Sequence, residues 1–223
     1  LSTPPNVNTA AGKVFSIIKD MNNGNDQITA WYWIKHEEFG YVPAKHVSGS
    51  GKSCTFETLY GETLRNISRQ PVSQGGHIFG ARPIPIMLNL ACTYYDMVHM
   101  DDTNEASILH NIRLRFDENQ FMTNVGSILV LVNPFQWFEH LYMLDQVEKY
   151  HKWRLGDPPL DPHVYQIGES AYRGITLDRQ NQAVIISGES GAGKTEATKK
   201  VLQYLASITV AQPRKSATVG TGI

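Results

Sequence analysis

Residues 183–200 read AVIISGESGAGKTEATKK, and within them Gly188, Gly193, Lys194 and Thr195 fill the spacing G-x-x-x-x-G-K-[ST]. Each residue type has a chemical reason to be there. Gly188, Gly191 and Gly193 carry no Cβ, so backbone N–H groups can turn inward on an anion. A helix starting near Lys194 adds the positive end of its dipole. The Lys194 ammonium suits the β- and γ-phosphates of a nucleotide, and the Thr195 hydroxyl suits Mg²⁺. Glu189, Ser190 and Ala192 complete the loop. The competing reading, a glycine-rich turn with a solvated lysine, requires none of this conjunction.

Such a loop needs a strand before it and a helix after it. The run QAVIIS, residues 182–187, is short and β-branched, fit for a central strand. Ala197, Val201, Leu202, Leu205 and Ile208 then form an apolar helical stripe. Upstream, VGSILVLV ends at Asn133-Pro134 and predicts a strand buried on both faces. A helix is expected over EASILHNIRLRF, with Ile108, Leu109, Ile112 and Phe116 on one face and Asp102 and Glu105 at capping-box spacing. LYMLDQVEKYHKW predicts another. Its Asp145 ends an apolar run in the manner of a metal-anchoring strand carboxylate, but Leu144, Val147 and Tyr150 at helical spacing favour an exposed helix residue. A further helix is expected after Asp161, a possible cap, and Pro162, with Val164, Ile167, Ala171 and Ile175 recurring and Gly168 and Gly174 interrupting. Strands alternating with helices indicate an α/β domain.

The front of the chain has another character. ITAWYWIK, GYVPAKHV, SCTFETLY and ETLRNI are short, aromatic and β-branched, and together predict a small all-β barrel over residues 28–70 after an extension at 1–27. Gly and Pro between residues 70 and 85 mark a boundary, leaving 71–223 as the α/β part. The 223 residues are 41% hydrophobic and 18% charged, with a net charge of −1, so no global attraction draws the chain to nucleic acid or an acidic membrane. Cys54 and Cys92 form no CxxC pair and read as reduced thiols of a cytoplasmic protein. No apolar run is long enough for a transmembrane helix, and the opening LSTPPNVNTAAGK lacks a signal-peptide core. Leu1 at the front and AQPRKSATVGTGI at the end suggest a chain cut at one or both ends.

GESGAGKTEATKKVLQYLA resembles the P-loop and following helix of the myosin motor family. EASILHNIRLRFDENQFMTNVGSILVLVNPF resembles that family's run into its purine loop, PHVYQIGESAYR its helix before the P-loop, and ITAWYWIKHEEFGYVPAKHV its SH3-like barrel. The resemblance implies a partial α/β P-loop NTPase preceded by an SH3-like module, with ATP and Mg²⁺ as cofactors. It implies that Asn133 and Pro134 lie beside the adenine, Ser190 near the γ-phosphate, and residues 188–195 around the phosphates, Thr195 holding the metal. The family places a tyrosine eight residues after the asparagine, often with a basic residue between. Here that position is Leu141, Tyr142 follows, and Gln136 and Trp137 stand where lysine or arginine is common.

For the complete protein the resemblance implies ATP hydrolysis coupled to force on an actin filament, calmodulin-like light chains, and a place on the actin cytoskeleton. The switch I and switch II loops of the family come well after the P-loop, whereas residues 196–223 hold no switch-like motif. No catalytic residue is therefore assigned, and this chain alone is expected to lack turnover. The alternatives are a nucleotide-binding module without hydrolysis and an interaction module whose P-loop half is inert.

Overall fold

The computed structural model describes residues 31–69, 72–74, 77–79, 81–83 and 92–210. The expectations for residues 1–30 and 211–223 lie outside them. The chain divides into two compact units, 1–126 and 127–223.

The first unit is built on an antiparallel five-stranded sheet of order β4-β3-β2-β1-β7. Its strands are β1 (Trp31–His36), β2 (Gly40–Ser50), β3 (Ser53–Thr58), β4 (Thr63–Ile67) and β7 (Arg82–Pro83), and β5 (Val72–Gln74) pairs separately with β6 (His77–Phe79). The sheet is consistent with an SH3-like module. Alternation along β1 sends successive side chains to opposite faces. Tyr32 and Ile34 join Ala44, Cys54, Phe56 and Ala81 in one buried cluster, while Trp33, only 1% exposed, lies 5.2 Å from the His110 ring on the other side.

His110 belongs to α1 (Glu105–Asp117). The helix exists where the periodicity places it, but its cap and its buried face differ from expectation. Asn104 caps it by accepting from the Ala106 and Ser107 N–H groups, and Asp102 instead accepts from the Asn104 amide at 2.6 Å. Glu105 is the first helical residue. The buried face carries Ser107, His110, Asn111, Leu114 and Arg115, whereas Ile108, Leu109 and Ile112 are half-buried and Phe116 is exposed. Ser107, Asn111 and Arg115 can be buried here because each finds a hydrogen-bond partner. Asn111 exchanges two hydrogen bonds with the Tyr94 backbone, at 2.8 and 3.0 Å. Arg115 donates to the Met122 carbonyl and to Thr123 Oγ1 on β8 (Met122–Val125). On the sheet side Arg113 donates to the Phe39 and Tyr41 carbonyls and lies 5.6 Å from the Phe39 ring.

The second unit begins with β9 (Ile128–Leu131) and contains α2 (Leu144–Lys152), α3 (Val164–Thr176) and α4 (Lys194–Val210). The three helices pack on a shared interior of Val147, Tyr150, Val164, Tyr165, Val201, Tyr204 and Ile208. The stripe on α4 is therefore Val201, Tyr204 and Ile208, with Leu202 left 60% exposed. Gly168 of α3 makes the close packing possible, since a Cβ there would lie 2.8 Å from the buried Tyr204 ring. The two expected core strands are different. β9 is half-exposed, with Ile128 at 65%, and residues 182–187 run without a β-ladder, leaving Ile185 89% exposed.

Candidate phosphate-binding site

The loop of residues 188–195 joins the extended run 182–187 to α4. Gly191 and Gly193 take φ values of 79° and 94°, the left-handed region that side chains avoid. A Cβ at Gly191 would project into open space and one at Gly193 would meet Asn133. Helix α4 begins at Lys194, so its first N–H groups have no intrahelical acceptor and its dipole is positive here. The Ala192 N–H donates back to the Glu189 carbonyl at 3.2 Å, closing the turn. Lys194 Nζ donates to the Gly188 and Glu189 carbonyls at 2.7 and 2.6 Å, which holds the ammonium over the loop.

Asn133 braces this arrangement from the end of β9. Its Nδ2 donates to the Gly191 carbonyl at 2.9 Å, and its Oδ1 accepts from the Phe135 N–H at 2.9 Å. Phe135 takes φ 52°, a conformation costing a non-glycine residue about 1 to 2 kcal/mol, and the Asn133 side chain holds it there. Pro134 fills the turn between them. Sequence spacing gave no sign that Asn133 would touch the loop, because the contact crosses from residue 133 to residue 191.

Tyr142 stands apart from the loop. Its ring stacks on Trp137 with centroids 5.5 Å apart, and Lys200 Nζ of α4 lies 4.4 Å from the Trp137 centroid and 4.7 Å from that of Tyr142. The Tyr142 carbonyl accepts from the Tyr165 hydroxyl at 3.1 Å, which ties this segment to α3. Burial pushes the Tyr142 hydroxyl pKa upward, and that of Tyr165 up to about 12.

The start of α3 is capped by His163 rather than by Asp161: its Nδ1 accepts from the Tyr165 N–H at 3.1 Å. Burial lowers the His163 pKa to about 4, opposed in part by a backbone hydrogen bond at Leu141, so the ring is a neutral acceptor near pH 7. Deeper between α3 and α4, the buried Glu169 carboxylate accepts from Tyr204 Oη at 2.8 Å and Arg173 Nε at 2.6 Å, and meets His151 Nδ1 at 3.0 Å. Burial, then Glu169, drives the Tyr204 pKa upward. Histidine is an uncommon cap and glutamate an uncommon core residue, so propensity pointed to neither.

A cleft of about 470 Å³ lies at the loop, with Gly188, Gly193 and Lys194 on one side and Ile128, Ile185 and Val201 among its apolar walls. Among the described residues no three His, Cys, Asp or Glu side chains gather in a metal-binding group. No helix among them is long and apolar enough to cross a membrane, and Cys54 and Cys92 are both free.

A glycine turn at the head of a helix, with a lysine at the first helical position, is an arrangement suited to an anion. The family of the myosin head (motor domain) matches residues 94–223, more than half of the chain, and the chain belongs to that family. It is 40% identical over 178 residues to the high molecular weight form of myosin-1 from Acanthamoeba castellanii, covering 79% of this chain and 10% of that protein. It is 49% identical over 113 residues to myosin-VIIa of Drosophila melanogaster, covering 51% of this chain and 5% of that protein. With myosin-2 of Saccharomyces uvarum it shares 30% identity over 182 residues, 79% of this chain and 11% of that protein. The chain thus spans about a tenth or less of the length of these relatives.

Proposed function

We propose that the chain supplies the nucleotide-binding front of an actin-based motor, in which the complete protein couples Mg·ATP hydrolysis to force. The observation that carries this is the clasped loop: Gly191 and Gly193 in left-handed turns, Lys194 over the loop at the start of α4, and Asn133 bracing it. Residues 188–195 bind the phosphates in this reading, Lys194 supplying charge and Ser190 lying by the terminal phosphate. Asn133, Pro134 and Tyr142 lie toward the base. The Thr195 hydroxyl holds Mg²⁺ together with the nucleotide's own oxygens, and the metal neutralises phosphate charge. The fold is that of a P-loop NTPase over residues 71–223, preceded by an SH3-like module at 28–70. Actin, calmodulin-like light chains and a cytoplasmic place on the actin cytoskeleton belong to the complete protein.

The test is titration of the complete protein with a fluorescent ATP analogue. Lys194→Ala removes a charge-assisted phosphate contact and is expected to cost about 1.5 to 3 kcal/mol, roughly ten- to a hundredfold in affinity. Thr195→Val keeps the shape and loses the oxygen, so the affinity difference between Mg²⁺ and EDTA should vanish. Unchanged binding in Lys194→Ala would remove the loop from the site.

A further inference from the structure

We infer that the tip of the β1–β2 hairpin is a proton-sensitive catch, in which the uncharged His36 ring holds the turn and the turn is gripped by α1. This goes beyond the phosphate reading and does not depend on it. The tip consists of Glu37, Glu38 and Phe39, closed by His36 opposite Gly40, whose φ of 69° suits glycine. The Glu38 and Phe39 N–H groups both donate to His36 Nδ1, each at 3.2 Å. A ring nitrogen accepts only while it carries no proton. The proton of the neutral ring therefore sits on Nε2, which donates to Glu62 Oε2 at 3.0 Å on the β3–β4 connection. One nitrogen holds the turn and the other holds the carboxylate.

Arg113 of α1 takes what the turn presents. It donates through Nη2 to the Phe39 carbonyl at 2.7 Å and through Nη1 to the Tyr41 carbonyl at 3.2 Å, and its guanidinium lies 5.6 Å from the Phe39 ring centre. The Tyr41 N–H donates to the same Phe39 carbonyl at 2.8 Å. A Cβ on Gly40 would stand 3.0 Å from Leu109, so the tip and the helix are in direct contact. Protonating His36 puts an N–H at Nδ1, aimed at two other donors, and the turn loses its acceptor. Only 12% of the His36 side chain is exposed, so the freed N–H groups reach water only if the turn opens. The charged groups around the ring come from three elements. Glu62 favours the protonated ring, and Arg113 across the tip opposes it. Lys35, Glu37 and Glu38 flank the ring on the hairpin itself, and Glu105 of α1 accepts from the Tyr41 hydroxyl at 3.4 Å. Histidine is the side chain that changes charge between about pH 8 and 5, and acidification over that range unlatches the hairpin from α1.

Hydrogen–deuterium exchange of the complete protein tests the catch, read on the peptide covering residues 36–41 between about pH 7.5 and 5 and corrected for intrinsic exchange. Protection in the unaltered protein should fall about tenfold on acidification, as expected for the loss of one or two turn hydrogen bonds. His36→Asn supplies a side-chain oxygen that accepts from the same N–H groups and does not titrate, so its protection should stay within about twofold. Glu62→Gln removes the carboxylate and leaves the ring, so the loss should set in at lower pH. Protection that stays flat in the unaltered protein overturns the catch. So does a loss in His36→Asn as large as that of the unaltered protein, or an onset that Glu62→Gln leaves in place. If His36→Asn is unprotected at every pH, the onset in Glu62→Gln decides alone.

Discussion

The sheet of residues 31–67 and the strand side of the second unit draw on the same kinds of residue, aromatic and β-branched, and they end in opposite conditions. In the sheet each strand finds an antiparallel neighbour close in sequence, and Trp33, Ile34, Val42 and Phe56 are at most 1% exposed. In the second unit Ile185, on a run without a ladder, is mostly open, although α2, α3 and α4 bury Tyr165 and Tyr204 completely. Burial follows from a supplied partner rather than from the side chain. Hairpin partners lie within a few residues, and helices satisfy their own backbones, but an isolated extended run does neither.

The largest effect that would test this contrast is expected at Trp33. Trp33→Ala empties a filled site between β1 and α1 and should cost about 3 to 5 kcal/mol in urea denaturation of the first unit. A loss below about 1 kcal/mol would show that the sheet is looser than its burial indicates.

An intermediate effect should appear at His163 and sharpen the claim that the helical side of the second unit is closed. The ring's pKa is about 4 when folded and about 6.5 when unfolded. Above pH 6.5 both states are neutral and the full stability is present. As pH falls from 6.5 toward 4 the unfolded chain takes up a proton that the folded chain refuses, so stability is lost, up to on the order of 3 kcal/mol. Asparagine also caps helices but does not titrate. His163→Asn should therefore flatten the melting-temperature profile between pH 6.5 and 4, and an unchanged slope would assign it to another group.

The smallest effect is expected at Ile185. Ile185→Thr in this chain should change stability by less than about 0.5 kcal/mol, since 89% of the side chain already meets water. A loss approaching that of Trp33 would mean that residues 182–187 are covered in solution, and the contrast between the two regions would collapse.

The same contrast explains what the sequence made legible. β1 to β4 could be read because their partners are consecutive, and the loop could be read because its glycines, lysine and threonine each answer a local requirement. The buried face of α1 could not. Apolar periodicity chose Ile108, Leu109 and Ile112, while the helix docks through Asn111 and Arg115 onto Tyr94 and onto β8, pairings that a 3.6-residue pattern does not encode. Asp102 and Asp161 had good capping chemistry, yet Asn104 and His163 occupy the cap positions because the chain enters each helix two residues later than those aspartates suggest. The strand expected at 182–187 was read from its composition and from the loop that follows it, and neither carries information about who pairs with it.

Gly168 has a consequence for anyone altering this chain. Replacing a mid-helix glycine with alanine is a standard route to a sturdier helix, since the propensity gain approaches 1 kcal/mol. At residue 168 the added methyl would lie 2.8 Å from the Tyr204 ring, which is fully buried and fixed by its hydroxyl on Glu169. The ring has nowhere to go, so the usual gain becomes a collision in the seam beside the helix that begins at Lys194. The alphabet tolerated at this position shrinks to a single letter, and a design protocol scoring helices one at a time would choose wrongly here.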